Sequence, residues 1–128
     1  MGLKPSMLVM EIGYDDDVDL GLRGGIEACT GERLLDEGTD EVVDCVLVWF
    51  RDEDGDLVDL LVDAVGPLTD DGTIWLLTPK RGRGGYVEPS DISDAAAVAG
   101  LSQTSITTVS GEWSGVRLVG RKSSGGRR

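Results

Sequence analysis

Apolar residues along this chain fall into two patterns: short unbroken runs, and stretches where they recur every three or four positions. The runs read as strands. MLVMEI, residues 7–12, is β-compatible and follows Pro5. CVLVWF, residues 45–50, is apolar throughout, as a strand covered on both faces should be. TIWLLTP, residues 73–79, is a second such strand and follows a turn expected at Asp71-Gly72. The periodic stretches read as helices. Val18, Leu22, Ile26 and Cys29 predict a helix over residues 15–30, with Asp15, Asp16 and Asp17 at its N-terminus. Leu57, Leu60, Leu61, Ala64 and Val65 form one face of a second helix, with Asp59 and Asp63 on the other. It is capped by Asp56 and stopped by Gly66-Pro67. A third, capped by Ser90, runs through DISDAAAVAG to Gly100. SITTVS and VRLVGRK alternate apolar and polar around GEWSG, which predicts a closing antiparallel pair. RLLDE, residues 33–37, is a candidate short strand, and residues 39–43 read as a turn of helix or an extended lead-in.

The resulting order is β-α-(β)-β-α-β-α-β-β. It predicts an α/β fold: one small Rossmann-like domain over residues 1–122, with a mostly parallel sheet, helices on both faces and a C-terminal antiparallel strand pair. Such an ending resembles that of class I methyltransferase folds. The last six residues, SSGGRR (123–128), are expected to be a disordered basic tail. At 128 residues the chain is long enough for one core.

Charge narrows the partners. There are 24 acids against 12 bases. Arg121, Lys122, Arg127 and Arg128 all lie near the C-terminus, so residues 1–119 hold 24 acids and eight bases, a net of −16. A body with that balance repels nucleic-acid phosphate and anionic membrane, and the reading is no nucleic acid and no membrane partner. Acidity also serves solubility. A protein partner, as yet unidentified, is the expectation, and self-association is compatible with the sequence. No apolar run reaches the ~20 residues of a membrane span, and the N-terminus lacks the form of a secretory signal, so the expected compartment is the cytoplasm.

Absent residues narrow the chemistry further. There is no histidine, which removes Ser-His and Cys-His pairs and most zinc sites. Cys29 and Cys45 are separated by fifteen residues with no CxxC, and both are expected to be buried, reduced thiols. The acidic loop Asp52-Glu53-Asp54-Gly55-Asp56 has its glycine fourth rather than sixth, a poor match to a calcium loop. A solvated turn is the reading there, and no metal site is assigned. The loop KRGRGGYVEP is basic where bases are scarce. It should share the C-terminal edge of the sheet with the loops after Gly13 and Phe50, where open α/β sheets bind ligands. Lys80, Arg81 and Arg83 could then line a small anion pocket, or simply neutralise the acidic loops opposite. Trp49 and Trp75 are expected in the core. Trp113 either packs over the sheet edge or stands exposed as an interface anchor.

The phrases GYDDDVD, VLVWFRDEDGDLVDLLVDAV, WLLTPK, GYVEPSDI and WSGVRLV together resemble a family of small acidic actinobacterial proteins, domain of unknown function 3052, over roughly residues 3–122. That resemblance implies no catalytic residues. KPSMLVMEIG is similar to the first strand of methyltransferase-like Rossmann domains, whose motif runs acid-x-Gly-x-Gly-x-Gly. Glu11 and Gly13 match the acid and first glycine, and Tyr14-Asp15-Asp16-Asp17 replaces the rest. Three readings of those aspartates stand: helix capping, a modified ligand loop, or a metal site. Carboxylates at a helix N-terminus complement its dipole but repel an anionic ligand. The leading expectation is therefore a non-catalytic regulatory or protein-interaction module with no cofactor and no catalytic residues. The alternative is a small-molecule or nucleotide binder, a degenerate S-adenosylmethionine-type site built from Glu11, Gly13, Tyr14, Lys80, Arg81 and Arg83.

Overall fold

A computed structural model describes residues 4–15, 18–36, 40–80, 82, 84–108 and 112–120. The elements are β1 (Val9–Ile12), α1 (Leu20–Thr30), β2 (Val43–Trp49), a single 3-10 turn (Asp52–Asp54), α2 (Leu57–Val65), β3 (Leu68–Pro79), α3 (Pro89–Val98), β4 (Leu101–Thr108) and β5 (Trp113–Gly120). They form one five-stranded sheet in the order β1-β2-β3-β5-β4. The expected chain order is present, with the bracketed strand at RLLDE reduced to one parallel bridge between Leu35 and Met10. The tail at 123–128 lies outside the described residues.

The sheet is mixed rather than mostly parallel. β1–β2 and β2–β3 are parallel, whereas β3–β5 and β5–β4 are antiparallel. The cause is the connection between β4 and β5. Residues 109–112 are too few for a crossover, so β5 must return antiparallel beside β4, and it inserts between β4 and β3. The Asp71-Gly72 turn is absorbed into β3. Val43 pairs with Leu68 and Cys45 with Thr73, so the extra residues form an irregularity in the ladder. Gly72 sits inside it, where a Cβ would stand 2.7 Å from Leu68 Cδ2 and 3.2 Å from Asp44 O.

Alternation along the strands divides the core in two. Met10, Ile12, Val46, Val48, Ile74, Leu76, Val116 and Leu118 face α2 and α3, meeting Leu57, Leu61, Ala64, Ile92, Ala95 and Ala96. Val9, Cys45, Leu47, Trp49, Trp75, Leu77 and Trp113 form the other face with Val18 and Ile26. Strands β2 and β3 are thus covered on both sides, as their unbroken apolar runs require.

Two helix starts differ from expectation. α1 begins at Leu20, where Asp19 Oδ1 accepts from Leu22 N at 2.8 Å. The cap is therefore Asp19 and not the preceding aspartates, of which Asp16 and Asp17 lie outside the described residues. α3 begins at Pro89 rather than after Ser90, because proline's fixed φ and missing N–H suit the first helical position. Asp56 caps α2 as expected, accepting from Val58 N at 2.8 Å. Among the described residues no helix is long and apolar enough to cross a membrane.

The two thiols also separate. Cys45 is buried and Cys29 exposed, since α1 turns its Leu22, Ile26 and Thr30 stripe inward and Cys29 lies off that line. Burial pushes the Cys45 thiol from its ordinary 9.0 up to about 11. An acid whose folded pKa is raised keeps its proton longer when folded. Its contribution to stability is thus complete below pH ~9 and is lost as pH climbs toward 11. Urea unfolding at pH 8 and pH 11 should show wild type losing about 2 kcal/mol more than Cys45→Val across that interval. A thiol reagent at pH 8 should titrate one cysteine per folded chain and two after unfolding.

Candidate functional site at the strand ends

β1 ends in Glu11-Ile12 and Gly13 follows it, the acid and the glycine having separate tasks. Glu11 shares the face of Val9 and points between the sheet and α1, where it is 7% exposed. A carboxylate there needs partners, and it has them. Arg23 of α1 donates Nε to Oε2 at 2.7 Å and Nη2 to Oε1 at 2.9 Å, while Trp49 Nε1 donates to Oε2 at 2.8 Å. The bidentate geometry suits a guanidinium fork. This contact, more than burial opposes it, raises the pKa of Arg23. Arg23 also lies over the Tyr14 ring, 4.7 Å from its centroid.

Gly13 has φ +84°, and a Cβ on it would stand 2.3 Å from Trp49 O. Only glycine lets the chain leave β1 this close to β2. Beside it is Arg51, first residue after Phe50 and itself 7% exposed. Its Nη1 donates to Gly13 O at 2.8 Å, Trp49 O at 3.2 Å and Asp54 Oδ2 at 3.2 Å. Asp54 also accepts from Arg51 N at 2.9 Å. The guanidinium lies 5.3 Å from the Trp113 ring centroid, and Trp113 meets Trp49 edge to face at 4.9 Å and 79°. Trp113 is 1% exposed, so it is a core residue of this network and not a surface anchor.

A cavity of about 260 Å³ opens here, lined by Gly13, Tyr14, Asp15, Trp49, Arg51 and Asp54 among others. It lies at the strand ends where ligands of open α/β sheets bind. Of the expected pocket residues, Gly13 and Tyr14 line it and Glu11 is sealed beneath, turned toward Arg23. Lys80 is half-buried, and its backbone N donates to Glu112 O at 3.1 Å. It lines neither this cavity nor a second one, of about 200 Å³, on the β3–β5–β4 side. Arg81 and Arg83 lie outside the described residues. The loops after β2 and β3 do meet, through Asp52 N to Gly85 O at 2.9 Å. No group of three or more cysteine or acidic side chains suited to a metal ion occurs among the described residues.

Arg51 and Arg23 are the residues that sequence reasoning missed. A signal existed for Arg51: a lone base directly after an apolar strand, with an acid three residues on. Arg23 carried a weaker one, a cation inside the apolar stripe of α1.

The fold is that of methyltransferases. A SAM-dependent methyltransferase from Aquifex aeolicus superposes with a TM-score of 0.61 at 13% identity, over 91% of this chain and 84% of that one. An O-methyltransferase from neocarzinostatin biosynthesis, solved with S-adenosyl-L-homocysteine and 1,4-dihydroxy-2-naphthoic acid, gives 0.67 at 12% identity over 90% of this chain. In that case the chain spans about half (49%) of the neighbour. The chain itself belongs to the family described as protein of unknown function (DUF3052), whose model matches residues 1–122. Uncharacterized proteins of Mycobacterium tuberculosis and Mycobacterium bovis are each 52% identical to it over 128 residues, all of this chain and 80% of the relative.

Three substitutions probe the network. Glu11→Gln keeps a partner for Trp49 but breaks the fork to Arg23, and should lower unfolding free energy by about 1–3 kcal/mol in urea melts. Combined with Arg23→Ala, the losses should fall short of additive, since both remove one contact. Gly13→Ala should cost more than about 2 kcal/mol, because the left-handed φ and the clash with Trp49 O act together.

Proposed function

We propose that this domain is a non-catalytic module that works by binding a protein in a regulatory role, on a methyltransferase-like frame whose cofactor position is closed. One observation carries the reading: both oxygens of Glu11, the acid of the strand-end motif, are bonded to Arg23 and Trp49. Three hydrogen bonds already fall on that carboxylate, which is 7% exposed, so a ligand reaching it would have to disturb the sheet-to-helix tie. Arg51, the cation nearest the crevice, is bonded to Asp54 and two carbonyls. The acidic body favours a partner with a basic contact surface. Tyr14, 54% exposed and stacked on Arg23, is the kind of ordered aromatic–cation pair that anchors interfaces. Cys29 and Cys45 are joined in no disulfide and the first is exposed, which suits a reducing compartment such as the cytoplasm.

A second reading is a small-molecule or nucleotide binder at the same strand ends, favoured by the 260 Å³ cavity beside Gly13 and Arg51. Amide NMR titration with S-adenosylmethionine, S-adenosylhomocysteine and ATP separates the two. The proposal expects no saturable shift at Gly13, Tyr14 or Arg51 up to millimolar ligand. A saturable shift there, reduced in Arg51→Ala, would overturn it in favour of the second reading. Tyr14→Ala should leave the melting temperature within a degree or two of wild type. Cross-linking in cells should join the wild-type chain to a protein partner, and Tyr14→Ala should abolish that product. A cross-link that survives the change removes Tyr14 from the interface.

A further inference from the structure

We infer that the second cavity, between the β3–β5–β4 part of the sheet and the segment entering α3, binds a small neutral organic molecule. It would have one or two flat rings bearing a hydroxyl or comparable polar group. The cavity shares no lining residue with the one beside Arg51 and does not depend on the protein-binding reading.

Strand register builds its floor. Thr78 pairs across the ladder with Ser114, and Val116 with Ile106, so these side chains stand as neighbours on the face that carries α3. Tyr86, Val87 and Ile92 close over them from the connection and the first turns of α3. The volume of about 200 Å³ sets the size of the occupant. An apolar cavity of ~150 Å³ holds a benzene ring, so this one suits one to two rings.

The lining sets the charge. All ten lining residues are uncharged, and most are apolar. An ion entering would lose hydration without gaining a counter-ion, a cost that a neutral molecule avoids. Water is a poor occupant too, since so apolar a wall offers it few partners.

Thr78 sets the polar requirement. It is 4% exposed, and its hydroxyl has no hydrogen-bond partner among the described residues. A buried hydroxyl left unpaired is destabilising, and a ligand that pairs it recovers that loss on binding. Ile106, 63% exposed on the edge strand, adds apolar surface at the mouth. The pocket is thus apolar, concave and equipped with a few polar atoms, the usual make-up of a small-molecule site.

The test is an amide NMR titration of the whole chain with 2-naphthol and, in parallel, naphthalene-2-carboxylate. Expected are saturable 2-naphthol shifts confined to Tyr86, Val87, Ile92, Ile106 and Val116, with the carboxylate at least tenfold weaker. Thr78→Val, which removes the hydroxyl and keeps the shape, should weaken 2-naphthol about five- to tenfold and leave naphthalene binding unchanged. Ser114→Leu, which fills the floor from a partly exposed position, should abolish binding. If that variant fails to fold, Thr78→Val decides alone. The inference is overturned if 2-naphthol leaves these amides unmoved, or moves those of Gly13, Tyr14 and Arg51 instead. It is equally overturned if the carboxylate binds as well as the naphthol, or if Thr78→Val binds 2-naphthol as tightly as wild type.

Discussion

A carboxylate buried between a sheet and a helix is stable only when its charge and lone pairs are answered, and Glu11 imposes that condition on everything around it. Arg23 must reach inward from α1, which fixes the rotation of that helix on the sheet. Trp49 must turn its indole N–H toward β1, and the ring so placed offers a face or edge to Trp113 on β5. Trp113 in turn lies under Arg51, which reaches back to Gly13 O at the end of β1. The circuit begins and ends two residues apart and passes through four elements. Gly13 makes it closable, because a side chain there would occupy the space of the Trp49 carbonyl.

The same circuit accounts for how a methyltransferase-like frame can exist without the glycine loop expected at this point. At 12–13% identity the likeness to these neighbours is one of fold. In an open sheet the gap beyond the strand ends is filled either by a ligand or by the protein's own side chains. Here Arg51 and Asp54 line it, and Arg51 donates to the carbonyls of Gly13 and Trp49 at the strand ends. On our reading those side chains do internally what a bound cofactor would otherwise do.

Much of this architecture was legible because it rests on periodicity. The runs at Cys45–Phe50 and Thr73–Pro79 and the stripe at Leu57–Val65 are dictated by which faces are buried, and burial leaves a direct mark on sequence. Strand direction leaves none. That β5 lies antiparallel beside β4 follows from the short connection after Thr108, yet nothing in VRLVGRK says that it inserts between β4 and β3. Helix starts were blurred for a related reason. Asp15, Asp16, Asp17 and Asp19 are chemically equivalent as caps, and tertiary placement chose the last. The site was half legible. Glu11 and Gly13 were visible through their motif, whereas their partners Arg23, Trp49 and Arg51 come from elsewhere in the chain. A carboxylate's partner across 12 or 38 residues has no local signature.

Electrostatics and packing lead separately to the same kind of small ligand. Over residues 1–119 the acids outnumber the bases three to one, and that field disfavours the approach of an anion from any direction. A cation would be drawn toward the surface, yet the cavity beneath α3 has no acid in its wall to receive it. The strand-end crevice holds the opposite arrangement, with Arg51 and Asp54 paired in its wall. The apolar hollow under Tyr86 and Ile92 differs from that crevice, with a buried hydroxyl at Thr78. Only a neutral, compact molecule gains there from burial without forfeiting hydration, and it gains most where it answers that hydroxyl.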